Sequence, residues 1–218
     1  MTDLVLYGSG GLAREILQVA LDSNDDRRSW NVLGFLDDDP GVHGCEVHGL
    51  PILGDVHWLE GRRSVHTTLA VGSPVAKRRI GVRVAEAGSP PATLVHPTAW
   101  VGRRVEIGEG SVLCAGTLVT TDVRVGRHVT LNLHCTVGHD VVLGDYVTAA
   151  PGVNVSGAVE VGEGGDLGTG SAIIQGVRVG AWSIVGAGSV IVRDVPPNVT
   201  SVGIPAKPIK ERPDGWHL

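Results

Sequence analysis

The sequence has few cysteines, few aromatic residues and no excess of basic charge. Its 218 residues include three cysteines, one methionine and one phenylalanine, and aromatic residues make up only 4% of the chain. Three cysteines without C-x-x-C spacing argue against a disulfide framework and against a structural zinc site. The net charge of −5 provides no basic surface for nucleic acid or for a membrane.

The sequence also has no basic N-terminal region followed by an apolar run, and no long uninterrupted apolar stretch. A secretory signal has the first feature, and a membrane-spanning helix has the second. We therefore expect neither, and with reduced thiols we expect a cytoplasmic protein.

Glycine is abundant, with 32 residues, and an apolar residue recurs every six positions from Val95 to Ile191. Sixteen of these seventeen positions hold Val, Ile or Leu, and Ala149 is the exception. A helix would need a period of 3.6, and a plain strand would need alternation. A period of six fits a short strand and a turn, three of which complete one triangular coil. The pattern predicts a left-handed parallel β-helix of about five coils.

Every third apolar position of this repeat, taken at intervals of eighteen residues from Ile107 to Val179, is followed by a glycine. The glycines are Gly108, Gly126, Gly144, Gly162 and Gly180. Such regularity along one edge predicts a backbone conformation or a close approach that a Cβ atom would obstruct.

The first ninety residues have a different pattern. Short apolar runs at 4–7, 32–36 and 68–71 predict strands, and helical spacing is found at 14–21 and 75–87. This order predicts a small Rossmann-like β-α-β domain with a parallel sheet over residues 1–90. The β-helix domain, with a short C-terminal tail, then covers 91–218.

Gly8-x-Gly10-x-x-Ala13 follows the first strand and opens the first helix, as a dinucleotide-binding turn does. Its free amides favour a phosphate. Ninety residues are short for both halves of a dinucleotide fold, so we expect one nucleotide and no NAD-dependent redox chemistry. Asp37, at the end of the second strand, is placed to bind a ribose or base. A tight strand-helix turn and a solvated acidic turn remain the alternatives.

His139, followed by Asp140, is the candidate for catalysis within the repeat. Acyl transfer from a thioester needs a base and a donor for the oxyanion, and a carboxylate can orient an imidazole. Adjacent side chains in a strand point to opposite faces, so the two can cooperate only if the chain bends. A surface histidine is the other reading.

The order of parts resembles the bacterial sugar O- and N-acetyltransferases, which include sialic acid O-acetyltransferases and nucleotide-amino-sugar N-acetyltransferases of the bacillosamine and perosamine type. The resemblance covers nearly the whole chain. The matching segments are the opening 4–11, then 34–38, 53–55, 138–140, 144–146 and the closing Gly203-Ile204-Pro205-Ala206-Lys207.

This resemblance implies a homotrimer that binds acetyl-CoA in a groove between neighbouring β-helices. We expect no metal site. His139 would be the general base, Asp140 its partner, and Gly157 the amide that meets the thioester carbonyl. The C-terminal segment Ile204, Pro205, Ala206 and Lys207 would lie along CoA. Gly8, Ser9, Gly10 and Asp37 would hold the nucleotide of a small-molecule sugar substrate.

Two positions depart from the family. Leu12 stands where many members have a histidine after the glycine turn, which puts that substrate contact in doubt. Thr148 stands where many have a second histidine near the thioester, and it can hydrogen-bond there but cannot titrate.

The favoured function is acetyl transfer to the amino group of a nucleotide-linked sugar, with sugar O-acetylation as the alternative. A metal enzyme resembling γ-class carbonic anhydrase would use His134 and His139, but the third ligand position holds Thr98. A binding protein that has lost catalysis is a further alternative, against which the intact His139-Asp140 pair argues.

Overall fold

A computed structural model describes residues 1–24 and 30–218. Within these two ranges, no helix has both the length and the apolar character needed to cross a membrane.

The N-terminal unit is a three-stranded parallel sheet with two helices, as the sequence predicts. The strand order is β2-β1-β5, and a small hairpin, β3-β4, lies beside the sheet. In chain order the elements are β1 (Thr2–Tyr7), α1 (Gly11–Asp22), β2 (Trp30–Leu36), a 3₁₀ turn (Pro40–Val42), β3 (Glu46–Val47), β4 (Leu50–Pro51), a second 3₁₀ turn (Val56–Leu59), β5 (His66–Leu69) and α2 (Pro74–Glu86).

The strand predicted at 68–71 is β5, which begins and ends two residues earlier, at His66 and Leu69. Thr67 and Thr68 are buried within β5 despite their hydroxyl groups. The Thr67 hydroxyl is satisfied by the Ser89 hydroxyl at 2.7 Å, so a polar residue fits an interior strand here. The helix α2 then starts where Ser73 caps it and Pro74 takes the first helical position.

Seventeen two-residue strands follow at intervals of six residues, and they confirm the predicted left-handed parallel β-helix. They are β6 (Leu94–Val95), β7 (Trp100–Val101), β8 (Glu106–Ile107), β9 (Val112–Leu113), β10 (Leu118–Val119), β11 (Arg124–Val125), β12 (Thr130–Leu131), β13 (Thr136–Val137), β14 (Val142–Leu143), β15 (Thr148–Ala149), β16 (Asn154–Val155), β17 (Glu160–Val161), β18 (Asp166–Leu167), β19 (Ala172–Ile173), β20 (Arg178–Val179), β21 (Ile184–Val185) and β22 (Val190–Ile191). A hairpin of β23 (Val199–Gly203) and β24 (Ala206–Glu211) ends the chain's regular structure.

The strands form three faces of a triangular prism. The first face contains β6, β9, β12, β15, β18 and β21, and it continues into the hairpin. The second face contains β7, β10, β13, β16, β19 and β22, and the third contains β8, β11, β14, β17 and β20. The prism therefore has nearly six coils, slightly more than the predicted five.

Residues eighteen apart stack in register along each face. Val119 pairs with Val137, and Val137 pairs with Val155. The inward residues form one continuous buried cluster from Leu113 to Val199. This stacking is what a repeat too small to bury its own apolar residue requires.

The glycine column is explained by close approach. Gly126 and Gly144 lack a positive φ. A Cβ atom added to Gly144 would lie 2.6 Å from the backbone nitrogen of Glu163 in the next coil. The chain therefore needs glycine here because the coils meet backbone to backbone.

The N-terminal unit packs against the first face of the prism. Leu4 and Ile16 share one buried cluster with Leu94, Val112 and Cys114 of the first coils. The first face is therefore covered within one chain. The predicted domain boundary after residue 90 falls in the loop between α2 and β6, and it stays a prediction.

We expect Gly144→Ala to lower the free energy of unfolding by about 2–3 kcal/mol, because the added methyl group overpacks against the next coil. Gly170→Ala is the matched control: its φ of +65° is left-handed, but nothing lies within 4 Å of the added atom. This variant should lose only about 1 kcal/mol. Urea unfolding at one protein concentration measures both, and equal losses would refute the close-approach explanation.

Candidate active site

The His139-Asp140 pair lies at the corner between the second and third faces, in the turn from β13 to β14. Asp140 has a φ of +58°, so the chain bends left-handedly at this residue. This bend meets the geometric condition for cooperation, because it brings two consecutive side chains together. The Asp140 amide donates to the Thr121 carbonyl of the preceding coil at 3.2 Å, which holds the turn.

The imidazole and the carboxylate form a direct hydrogen bond. Nδ1 of His139 lies 2.7 Å from Oδ2 of Asp140. Because an ionised carboxylate only accepts hydrogen bonds, Nδ1 is the donor in this contact and Nε2 is left without a partner in the pair. The side chains are 53% and 63% exposed, so a substrate can reach Nε2. The arrangement is that of a base whose tautomer is set by its partner.

Gly157 lies one coil beyond His139, and the imidazole rests against it. Any Cβ atom at position 157 would collide with the His139 ring. The next amide, that of Ala158, donates to the His139 carbonyl at 2.7 Å, whereas the Gly157 amide donates to none of the described residues. The structure thus brings a free backbone amide beside the candidate base.

Of the predicted CoA-binding residues, Ile204 and Pro205 form the turn of the β23-β24 hairpin, and Ala206 and Lys207 begin β24. Ile204 is 76% exposed, and Ala206 packs against the end of the prism core. The hairpin lies at the C-terminal end of the first face, several coils beyond His139. Only an extended ligand could contact both places.

Thr148 begins β15 on the first face and is 7% exposed. Its hydroxyl has no hydrogen-bond partner among the described residues. Because the first face is opposite the corner that carries His139, Thr148 does not join His139 within one chain. Its contact with acetyl-CoA stays a prediction.

The predicted nucleotide-binding residues do come together. Oδ2 of Asp37 accepts hydrogen bonds from the Ser9 amide at 3.0 Å and from the Ser9 hydroxyl at 2.6 Å. At Gly8, with a φ of +113°, a Cβ atom would lie 2.8 Å from the Ala70 carbonyl oxygen, so only glycine fits. Nothing lies within 4 Å of an added Cβ at Gly10, so the space before α1 is open.

The first turn of α1 has the free amides that an anion needs. Its N-cap residue is Gly10, which provides no side-chain cap. The amides therefore remain available, and the helix dipole favours negative charge there. The Asp37-Ser9 bonds fix the loop beside this helix end.

A further pair of contacts at this loop was missed by sequence reasoning. Asp38 accepts hydrogen bonds from the Tyr7 hydroxyl at 2.6 Å and from Nη1 of Arg83 at 2.8 and 2.9 Å. Burial alone would raise the pKa of Asp38, but the hydrogen bonds from Arg83 and Tyr7 outweigh it and lower the pKa. Burial and the Asp38 hydrogen bond raise the pKa of Tyr7. The sequence signal for these contacts was the acidic run that follows β2.

An open groove of about 750 Å³ runs along α1 from the glycine turn. Its polar lining residues are Arg14, Glu15, Gln18 and His48. Sequence reasoning did not single them out, although the exposed side of an amphipathic helix was the available signal.

The two histidines of the carbonic-anhydrase alternative lie at different corners of the prism. His134 lies at the corner before β13, and His139 lies at the corner after it. Within residues 1–24 and 30–218, no three His, Cys, Asp or Glu side chains converge as a metal site.

The candidate base and the nucleotide-binding loop lie on opposite sides of the prism. The N-terminal unit covers the first face, and His139 protrudes from the opposite corner. One chain therefore does not bring the two together.

The chain is similar to known acetyltransferases. The PglD N-terminal domain family matches residues 3–84. The acetyltransferase domain of PglB from Neisseria gonorrhoeae FA1090, which has also been solved with acetyl coenzyme A, is 32% identical. The match covers 96% of this chain and 100% of that domain, with a TM-score of 0.86.

Two further relatives are described by reference to GDP-perosamine. PerB from Caulobacter crescentus, solved with CoA and GDP-perosamine, is 31% identical over 95% of this chain and 97% of PerB, with a TM-score of 0.87. The GDP-perosamine N-acetyltransferase of Escherichia coli O157:H7 is 29% identical over 136 residues, 62% of this chain. This match spans only 61% of that curated relative's length.

The Arg83-Asp38 pair generates a pH-dependent prediction. Because the pKa of Asp38 is lowered in the folded protein, its contribution to stability is present above about pH 4 and is lost as pH falls through the folded pKa. We expect Arg83→Met to cost under about 1 kcal/mol at pH 7, since both groups are partly exposed, and less at pH 3. Urea unfolding at both pH values measures this. A cost that grows towards low pH would contradict it.

Proposed function

Because this chain belongs to the hexapeptide-repeat family of nucleotide-amino-sugar N-acetyltransferases and is an acyltransferase, we propose that it moves an acetyl group from acetyl-CoA to the amino group of a nucleotide-linked amino sugar. The observation that carries this proposal is the exposed His139-Asp140 pair, in which Nδ1 of the imidazole contacts the carboxylate and Nε2 is left for a substrate. The relatives solved with acetyl coenzyme A, or with CoA and GDP-perosamine, support the two substrates.

In the proposed reaction, Nε2 of His139 removes a proton from the acceptor amine, which attacks the thioester carbonyl carbon. The Gly157 amide donates to the oxyanion that forms on the carbonyl oxygen. Collapse of this intermediate breaks the carbon-sulfur bond, and the imidazolium returns the proton to the leaving thiolate of CoA. Asp140 stabilises the imidazolium between these steps.

The acetyl-CoA would lie along the outside of the prism, from the His139 corner towards Ile204, Pro205, Ala206 and Lys207. The exposed hairpin turn leaves these residues accessible. Lys207 supplies a positive charge for the phosphates of CoA.

The nucleotide would bind at the N-terminal end of α1. The open space before Gly10 and the uncapped helix end suit the diphosphate. Asp37, held by Ser9, is an acceptor for hydroxyl groups of the ribose or for the base. The groove along α1 then offers room for the sugar.

We also propose that the protein acts as a homotrimer. The base and the nucleotide-binding loop face away from each other in one chain, so a second copy must complete the site. The second face, which adjoins the His139 corner, exposes Trp100 by 57% and Leu118 by 44%. Large apolar side chains in this position favour burial against another copy.

An acetyl-CoA consumption assay tests the substrate class. The panel contains GDP-perosamine, UDP-linked 4-amino sugars and free sialic acid, each with mass spectrometry of the product. We expect transfer to a nucleotide-linked amine and formation of an amide. Transfer to sialic acid alone would establish O-acetylation in its place, and no turnover on any sugar would refute the proposal.

His139→Ala should lower kcat by about 10²–10⁴, because the general base is lost. His134→Ala is the matched control, since His134 is also exposed and lies at another corner of the same coil region. It should keep wild-type kcat. Circular dichroism establishes that both variants are folded.

Asp140→Asn should lower kcat less than His139→Ala, because the imidazole remains but its tautomer and charge are less well supported. Wild-type turnover in His139→Ala would exclude this residue as the base, whatever Asp140→Asn does.

A further inference from the structure

Lys77 is the only Lys, Arg, Asp or Glu among the buried side chains of the described residues. It belongs to α2 and is 0% exposed. Burying an ammonium group is costly unless its hydrogen bonds are made. The hydrogen bonds of the Lys77 ammonium therefore indicate its role.

All three hydrogen bonds of the Lys77 ammonium go to the β-helix. Nζ donates to the His128 carbonyl at 3.0 Å, to the Thr130 hydroxyl at 3.2 Å and to the Val147 carbonyl at 3.2 Å. An ammonium group has three donors, so its capacity is filled. The acceptors come from two successive coils, and they are 51 to 70 residues away in sequence. Lys77 thus ties α2 to the first face at one point.

Two ion pairs lie in this region of the molecule. Arg78 of α2 lies 3.7 Å from Glu163, and Arg127 lies 3.7 Å from Asp145. Lys77, in contrast, has neutral acceptors.

Two further groups face Lys77 from the prism. Burial lowers the pKa of the His128 imidazole to about 4, so this ring is neutral. Burial raises the pKa of Asp166, although Lys77 opposes that shift. Burial also lowers the pKa of Lys77 to about 7, and Asp166 opposes the shift. Asp166 therefore favours the charged form of Lys77, whereas burial disfavours it.

The other end of α2 holds the nucleotide-binding loop. Arg83, six residues beyond Lys77 and roughly 9 Å along the helix axis, donates two hydrogen bonds to Asp38. Asp38 is adjacent to Asp37, which accepts both hydrogen bonds from Ser9. A rigid helix therefore connects the β-helix, through Lys77, to the proposed nucleotide site, through Arg83.

We propose that Lys77 is a positioning residue, which fixes the nucleotide-binding unit on the β-helix so that the acceptor amine is presented at the distance the base requires. This inference rests on the proposed function. It does not give Lys77 any contact with substrate. Displacement of a reacting group by about 1 Å can cost up to 10²-fold in rate, so loss of this anchor should lower turnover more than binding.

Lys77→Met keeps an unbranched side chain up to the ε position and removes the ammonium. We expect kcat for the nucleotide sugar to fall by about tenfold or more. The dissociation constants of nucleotide sugar and of acetyl-CoA, each measured by calorimetry, should change less than threefold. A merely structural role would lower kcat only in proportion to the unfolded fraction.

Arg79→Met is the matched control, because Arg79 is an exposed cation on the same helix. Its kcat and both dissociation constants should match wild type. If Lys77→Met does not fold, Thr130→Val removes one acceptor while Lys77 stays, and it should lower kcat in the same direction by a smaller factor. A wild-type kcat in folded Lys77→Met overturns the proposal. If Lys77→Met is unfolded, a wild-type kcat in Thr130→Val overturns it.

Hydrogen-deuterium exchange tests the anchor without any turnover. Lys77→Met should speed exchange in residues 74–86 and 35–39 by about tenfold, with the prism core unchanged. Unchanged exchange in both segments overturns the inference. If wild-type protein acetylates no nucleotide sugar, the proposed function has failed, and the exchange result alone still decides whether Lys77 anchors α2.

Discussion

The interval of six residues between inward apolar side chains determines where functional groups of the β-helix can lie. Each coil must stack Val, Ile or Leu on its counterpart eighteen residues away, so the chain turns at fixed positions. Several of these corners hold non-glycine residues in the left-handed conformation, which costs about 1–2 kcal/mol each. At one such corner the left-handed conformation of Asp140 brings its side chain against His139. The candidate base thus depends on the packing of the prism beneath it.

The triangular cross-section has a second consequence. The N-terminal unit occupies one face, and the base occupies the opposite corner. In a single chain the candidate base and the proposed nucleotide-binding loop therefore lie on opposite sides of the prism. Between neighbouring copies they can meet, provided each copy holds its own nucleotide-binding unit in a fixed place. The helix α2 holds the nucleotide-binding unit in place, because Lys77 is hydrogen-bonded to the prism and Arg83 is hydrogen-bonded to Asp38.

Much of this could be predicted from the sequence, because the signals are local or periodic. The repeat, the glycine turn and the β-α-β order are confirmed, and so is the family resemblance. The role of Lys77 could not be found this way. It stands in a basic run, Lys77-Arg78-Arg79, and its spacing of three and seven residues from Ile80 and Val84 places it on the buried face of α2. The acceptors that explain its burial, however, lie more than fifty residues away in sequence. Thr148 shows the same limit, since its burial follows from tertiary packing. The glycine column was predicted, but its cause required the distance between coils.

The central claim is that His139 of one copy acts on a sugar held by the nucleotide-binding loop of another. Co-expression of His139→Ala chains with Gly10→Trp chains, whose new side chain fills the open space before α1, tests it most directly. Each variant alone should be inactive. Random mixing of copies in a closed symmetric assembly should restore about a quarter of the wild-type activity, because one site in four receives both intact halves. Mixed assemblies that stay inactive would contradict a site shared between copies.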